Sequence, residues 1–220
     1  MAAQKTIAII GATGKMGGAI AKGLVNGPNR LLLFGNNQEK LSGLLSALKE
    51  TKRDTDAEII GCSVDASWEA DIIIAAVPYA AEATLAEQIR AVATGKIVIS
   101  ISNPLSADFC RLVTEPGTSA GEQLQELLPH ARVVKAFSTN FSAAFNHTDV
   151  SGYKLDAFIA GNDDEALLEV AELITEVGFN PVIAGDLTFS RTLENMTLLL
   201  INANIRHGYK GQAGWKILHN

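Results

Sequence analysis

Short unbroken apolar blocks, many of them β-branched, alternate along this chain with stretches in which Leu, Ile or Ala returns every three or four positions. The first pattern reads as strands buried on both faces and the second as amphipathic helices. The blocks predict strands over 7–10, 30–34, 58–61, 71–77, 96–101, 132–137, 155–161 and 180–185. The helical spacing predicts helices over 16–25, 38–48, 80–92, 119–128 and 164–177, with a short helical turn at 68–70. Residues 49–56 read as a charged surface connection and 106–116 as a loop. Pro181 at the start of the last block suits the edge of a sheet. From Leu187 the pattern changes to one long apolar helix ending near His207 and Gly208, too apolar for a solvated surface. It should lie against the sheet or a second subunit. Trp215, Ile217 and Leu218 should dock the tail on the body.

Strands alternating with helices predict an α/β fold with a doubly wound, mainly parallel sheet. A division into a sheet domain over 1–186 and a helical segment over 187–220 follows from the change of pattern. At 220 residues with 47% apolar side chains, the chain can bury a sizeable core. No apolar run is long enough to span a bilayer, and the start Met-Ala-Ala-Gln-Lys lacks a signal-peptide core. The formal charge of −6 argues against a nucleic-acid surface. Cys62 and Cys110 show neither a CxxC nor a metal-ligand spacing and read as reduced thiols of a cytoplasmic protein, with no metal site.

The chemistry concentrates at the first strand. Ile10 runs into Gly11-Ala12-Thr13-Gly14-Lys15-Met16-Gly17, where three glycines let the backbone turn sharply and approach a ligand closely. The helix that follows offers free N–H groups and a positive dipole end to a pyrophosphate. Strand, glycine turn and helix in that order are the setting of a dinucleotide fingerprint, so the fold is expected to be of the Rossmann type. The spacing is G-x-x-G-x-x-G, one residue longer before the second glycine than the common form.

The second block ends at Gly35-Asn36-Asn37, about 20 residues past the turn, where an acid would hold the adenosine ribose of NAD. No acid stands there, which favours NADP; no arginine stands there either. Asn36 and Asn37 can donate hydrogen bonds and Lys40 can add charge, but both asparagines also suit a turn and a helix cap. NADP is therefore expected, with NAD as the alternative. Other strand ends point into the same crevice: Val77-Pro78, where a dinucleotide's middle would pass, Ser102-Asn103-Pro104, and Ser138-Thr139-Asn140. No His-Asp-Ser set and no carboxylate pair is recognisable where these ends converge. His130, His147, His207 and His219 read as structural or exposed, with His207 able to reach a site only across a dimer. Lys135 reads as the charged end of a strand.

Four segments in the right order resemble the coenzyme F420 (deazaflavin)-dependent NADP oxidoreductase family, which is also similar to the oxidoreductase domain of metalloreductases. They are 9–17; Val134-Lys135-Ala136-Phe137-Ser138-Thr139; Ala160-Gly161-Asn162-Asp163-Asp164-Glu165; and Ala184-Gly185-Asp186-Leu187 with Ser190-Arg191 and the helix after it. The resemblance implies hydride transfer between NADP(H) and a deazaflavin or flavin as second substrate. It implies a phosphate-binding turn at Thr13, Gly14, Lys15 and Met16, a strand-four proline at Pro78, and an acceptor pocket at Phe137, Ser138 and Thr139. Where the family carries a Ser-Arg pair for the 2′-phosphate, this chain has Asn36-Asn37.

Such a transfer requires close, parallel rings in a water-poor pocket and no protein acid, base or nucleophile, so no catalytic side chain is expected. The expected enzyme is an NADP-dependent reductase, a homodimer acting on small molecules. The alternative is a dinucleotide-sensing protein without turnover. A reductase of imines or β-hydroxy acids is a weaker option, because those enzymes add a large helical domain that this chain is too short to carry.

Overall fold

The computed structural model describes residues 4–219. The first three residues of the N-terminal reading, and Asn220, lie outside the described residues. In chain order the elements are β1 (Thr6–Ile10), α1 (Lys15–Leu24), β2 (Arg30–Phe34), α2 (Gln38–Thr51), β3 (Ala57–Ile59), α3 (Ser63–Glu69), β4 (Ile72–Ala75), α4 (Tyr79–Ile89) and β5 (Ile97–Ser100). They continue with α5 (Ala120–Leu127), β6 (Arg132–Lys135), β7 (Asp149–Val150), β8 (Tyr153–Lys154), β9 (Asp156–Gly161), α6 (Asp164–Val177), β10 (Asn180–Gly185) and α7 (Ser190–His207). Eight strands form one sheet in the order β10-β9-β6-β5-β4-β1-β2-β3, with β1 central among the first six, which run parallel.

Alternation along β1 explains the sandwich. Ile7 and Ile9 face one layer and pack with Ile20 and Leu24 of α1. Ala8 and Ile10 face the other and pack with Leu85 and Ile89 of α4. With helices on both faces the parallel strands are closed to water, which is why they read as unbroken apolar blocks.

Beyond β6 the sheet changes direction. β9 pairs antiparallel with β6, and β10 pairs parallel with β9. The connection from β6 to β9 carries a 3-10 turn (Ser142–Asn146) and the hairpin of β7 and β8, with no crossover helix to make a parallel neighbour. β10 is the sheet edge, as Pro181 suggested.

Several expectations need correction. β6 stops at Lys135, because Phe137 takes a left-handed φ of +57° and turns the chain out of the sheet. α3 is a full short helix rather than one turn at 68–70, and α2 extends to Thr51 into the expected surface connection. The hairpin and the 3-10 turn are too short to leave a periodic signature. α7 lies against the sheet but buries only one face, which includes Glu194 and Thr197 beside Leu193 and Leu200; Leu199 and Ile205 are exposed. In the tail only Trp215 packs on the body, over Phe158 and Leu193. Ile217 and Leu218 stay exposed.

The tail is held instead through Asp156. Its carboxylate pairs with the Lys216 ammonium at 2.8 Å, and accepts from the Ile217 N–H at 2.6 Å and from the Asn180 amide at 2.7 Å. Burial pushes this carboxyl up, but those donors outweigh it and hold it below the usual carboxylate range. Cys62 and Cys110 are free thiols. Among the described residues no helix is long and apolar enough to cross a membrane, and no His/Cys/Asp/Glu group suits a metal ion.

Candidate functional site

The turn after β1 is fixed by its own backbone. The N–H groups of Gly11 and Ala12 both donate to the Phe34 carbonyl at 2.9 Å, tying the turn to the end of β2, and the Gly14 N–H donates to the Gly11 carbonyl at 2.9 Å. Gly11 sits at φ +98°, and a Cβ there would stand 2.3 Å from the Ala76 carbonyl oxygen at the end of β4. A Cβ at Gly17 would meet the Gly11 carbonyl oxygen at 2.4 Å. Both positions therefore exclude any side chain. Gly14 is the N-cap of α1, with no side-chain cap over the first helical N–H groups. Those donors face the crevice bare, as an anion at a helix N-terminus requires. Across the crevice, Thr13 packs so closely on Gly35 that a Cβ on Gly35 would lie 2.8 Å from the threonine hydroxyl.

After β2, Asn37 caps α2, its side-chain oxygen accepting from the Lys40 N–H at 2.9 Å. Its amide nitrogen remains available, and Asn36 and the Lys40 side chain are exposed. Val77 is half-buried, and Pro78 is exposed as the N-cap of α4.

A cavity of about 420 Å³ opens beyond the ends of β5 and β6. Lys15 and Met16 from the turn line it, as do Asn103 and the segment carrying Phe137, Ser138 and Thr139. These sequence-predicted residues are thus brought together, whereas Val77, Pro78 and Ser102 do not line this cavity. Asn103 donates to the Ser138 carbonyl at 3.0 Å, and so does the Thr197 hydroxyl, at 2.8 Å. The Asn103 side-chain oxygen and the Ser138 hydroxyl are buried without partners. Orphaned polar atoms beside an apolar cavity are what a ring with polar edges would satisfy. Phe109, Phe141, Thr197, Leu200 and Ile201 also line the cavity. Sequence reading missed them, because the α7 residues show the same spacing as ordinary core positions.

Directly below lies a buried charged cluster that the sequence did not reveal. Lys135 is fully buried rather than a charged strand end: its ammonium pairs with Glu194 Oε1 at 2.8 Å and donates to the Ser102 carbonyl. The Glu194 carboxylate also receives the Ala120 and Gly121 N–H groups at 3.3 and 3.4 Å, at the start of α5. Glu82 of α4 is buried beside them, accepting from the Ser100 hydroxyl at 3.4 Å. Burial pushes its carboxyl up to about 7; the Lys135 charge and the Ser102 hydroxyl pull it down, Glu194 pushes it further up, and Ser100 pulls it down. Two carboxylates do converge at the strand ends, through residues far apart in sequence. His130 and His147 are exposed, and His207 stacks on Tyr209 at 5.4 Å at the exposed end of α7.

A doubly wound sheet with a bare helix mouth at its centre and a ring-sized cavity at the neighbouring strand ends defines a dinucleotide-binding oxidoreductase of the Rossmann type. The family described as NADP oxidoreductase, coenzyme F420-dependent, matches residues 6–104. The F420-dependent NADP reductase of Methanocaldococcus jannaschii is 33% identical over 213 residues, covering 93% of this chain and 95% of that protein. The chain belongs to the F420-dependent NADP oxidoreductase family. The metalloreductase STEAP3 of Rattus norvegicus is 27% identical over 89% of this chain but only 37% of its own length. A crystal structure from Arthrobacter sp. FB24, described as a candidate F420-dependent NADP reductase, superposes with a TM-score of 0.83 over 99% of this chain and all of that one, at 23% identity.

Proposed function

We propose that this protein is an NADP-dependent reductase that passes hydride between NADP(H) and a deazaflavin of the F420 type. The observation that carries the reading is the cavity at the ends of β5 and β6, walled by Lys15 and Met16 of the turn on one side and by α7 on the other. A cavity there supports an acceptor ring lying next to the mouth proposed for the pyrophosphate. The N–H groups after Gly14 hold the phosphates. Asn36, the free amide of Asn37, Thr13 and Lys40 receive the adenosine end and its 2′-phosphate. The segment at Val77 and Pro78 borders the middle of the carrier, and Ser102 and Asn103 orient the nicotinamide end. Phe137, Ser138 and Thr139 hold the acceptor.

When bound, the nicotinamide supplies or receives the hydride and the deazaflavin ring is its partner. The chain supplies position and exclusion of water: Phe137 and Thr139 are fully buried and Ser138 nearly so. Phe137 is held at a positive φ by the packing of its ring 5.8 Å from Phe145. No side chain takes part covalently, so rate rests on ring alignment.

The same reading extends to a homodimer, supported by the exposed Leu199 and Ile205 on α7 and by the exposed Phe109, whose carbonyl accepts from Asn202 of that helix. It extends to a cytoplasmic location, supported by the two free thiols.

Absorbance in the reduced nicotinamide band, followed with NADPH and either F420 or a simple flavin, tests the activity. Oxidation that scales with enzyme and prefers F420 is expected, and no turnover with either acceptor overturns the reading in favour of a dinucleotide sensor. Gly14→Val puts a branched side chain where the phosphates sit. Its Cβ would stand 3.2 Å from the Gly11 carbonyl oxygen, a small adjustment for the fold. Calorimetry should then show NADPH affinity falling by about a hundredfold, while the melting temperature moves by only a few degrees.

A further inference from the structure

β5 and β6 run side by side with Ser100 opposite Lys135. At these positions two apolar strands end in a hydroxyl and an ammonium, both wholly buried. A cation so placed persists only where partners surround it. Lys135 has the Glu194 carboxylate at 2.8 Å and the Ser102 carbonyl. One ammonium thus fastens β6, the segment after β5 and α7 to one another. Each anchor stands next to a wall of the strand-end cavity: Ser102 precedes Asn103, Lys135 comes shortly before Ser138, and Glu194 lies one helical turn before Thr197. The Asn103 amide and the Thr197 hydroxyl both donate to the Ser138 carbonyl, at 3.0 and 2.8 Å. The tie therefore sits behind the polar frame of the cavity, and none of its charged side chains lines the cavity itself.

Glu82 of α4 is the third charged member, accepting from the Ser100 hydroxyl at 3.4 Å. Lys135 from β6 and Glu194 from α7 both act on it. Tyr79, one turn earlier on α4, is bonded to Gln123 of α5 at 2.7 Å. On the helices packed against α4, Glu122 of α5 is paired with Arg191, and Asp65 of α3 is exposed. With its proton, Glu82 leaves the pair of Lys135 and Glu194 neutral overall. Without it, two carboxylates share one ammonium in a region closed to water, and Glu82 competes with Glu194 and the Ser102 carbonyl for that ammonium.

We infer that Glu82, Lys135 and Glu194 are positioning residues of the acceptor site: the ammonium tie holds Asn103, Ser138 and Thr197 in place while Glu82 keeps its proton, and ionisation of Glu82 loosens that hold. The inference rests on the reading that the strand-end cavity seats the deazaflavin. Burial pushes the Glu82 carboxyl up to about 7, so the tight frame prevails below that pH. Acceptor binding and protonation of Glu82 favour the same state, so binding is strongest below about pH 7 and weakens as pH rises through it.

The test compares the parent with Glu82→Gln, which keeps the shape of the protonated carboxyl and cannot ionise. Fluorescence titration of F420 and steady-state rates would be measured at about pH 6 and about pH 8. The parent's Kd and KM for F420 should rise about tenfold between the two, and those of Glu82→Gln at most about twofold, a difference in which the coenzyme's own titration cancels. At either pH, kcat should be equal in the two proteins, because saturating acceptor draws the frame back to its tight form. Calorimetric NADPH affinity should also be equal, since the hydrogen bonds of the turn after β1 involve no residue of the cluster. In the protein without ligands, hydrogen exchange over residues 101–105 and 136–140 should be faster in the parent than in Glu82→Gln at about pH 8, and equal at about pH 6. The double variant Lys135→Met/Glu194→Gln removes the tie without stranding a charge and should bind F420 about tenfold more weakly at both pH values; if it fails to fold, Glu82→Gln decides alone. Parallel pH dependences in the parent and Glu82→Gln overturn the inference. So does a kcat lowered at both pH values in Glu82→Gln, which would make Glu82 a proton donor to the ring. If the parent oxidises NADPH with neither F420 nor a flavin, the deazaflavin reading fails. Hydrogen exchange then judges the tie: the expected difference at about pH 8 supports it, and equal exchange overturns it.

Discussion

The glycine turn after β1 and the strand-end cavity beside β6 lie next to each other but are built on opposite plans. The turn is made of backbone. Gly11 and Gly17 are there because no other residue fits within 2.4 Å of neighbouring carbonyl oxygens, and the groups turned to the crevice are backbone N–H donors, which every residue but proline possesses. The strand-end region is made of side chains from distant segments: Asn103, Ser138 and Thr197 meet above a buried trio of Lys135, Glu194 and Glu82. A backbone site depends on what is missing, whereas the side-chain site depends on every partner being present.

Removing a partner from the second region should therefore have the largest effect. Glu194→Ala leaves the fully buried Lys135 ammonium without its counter-ion, which predicts a loss of about 3–5 kcal/mol in chemical denaturation. A loss below about 1 kcal/mol would mean that water or another carboxylate replaces Glu194, and the contrast between the regions would weaken.

Glu82 gives the next effect, and it has a sign. Its folded value of about 7 lies above its ordinary 4.5, so the native chain holds a proton that the unfolded chain has released between those pH values. Its contribution to stability is complete below about pH 4.5 and is lost as pH rises through about 7. The difference amounts to about 3 kcal/mol. Glu82→Gln should remove this dependence: thermal melts at pH 8 should show the variant more stable than the parent, with little difference at pH 5. Equal slopes for both proteins would take Glu82 out of the buried cluster's balance.

The smallest effect tests the turn's edge. Asn37→Asp keeps the oxygen that caps α2 but replaces the free amide by a carboxylate at the position proposed to receive the 2′-phosphate. Calorimetry should show NADPH affinity lowered about tenfold, NADH affinity retained, and a melting temperature within a few degrees of the parent. Loss of both affinities would mean that the loop after β2, and not its charge, had changed.

These two plans also explain what the sequence revealed. The eight strands, most of the helices and the glycine turn were legible because each is a local pattern: apolar blocks, three-four spacing, glycines at fixed offsets. Asn37 was readable as both a cap and a ligand group, and its oxygen is used as a cap. The ion pair of Lys135 with Glu194 was not legible, because its partners lie 59 residues apart and meet only once α7 folds over β6. Thr197, Leu200 and Ile201 carry no chemical signature of a pocket. Phe137 ends an apolar run that looks like strand, and only its positive φ reveals the turn.

The position of α7 near the end of the chain adds a matter of timing. The mouth at β1 is complete once the early strands and helices are made, but the neighbouring cavity lacks a wall until the last long helix docks. Without that helix the cavity would lie open to water, while the turn after β1 would keep every backbone partner that shapes it.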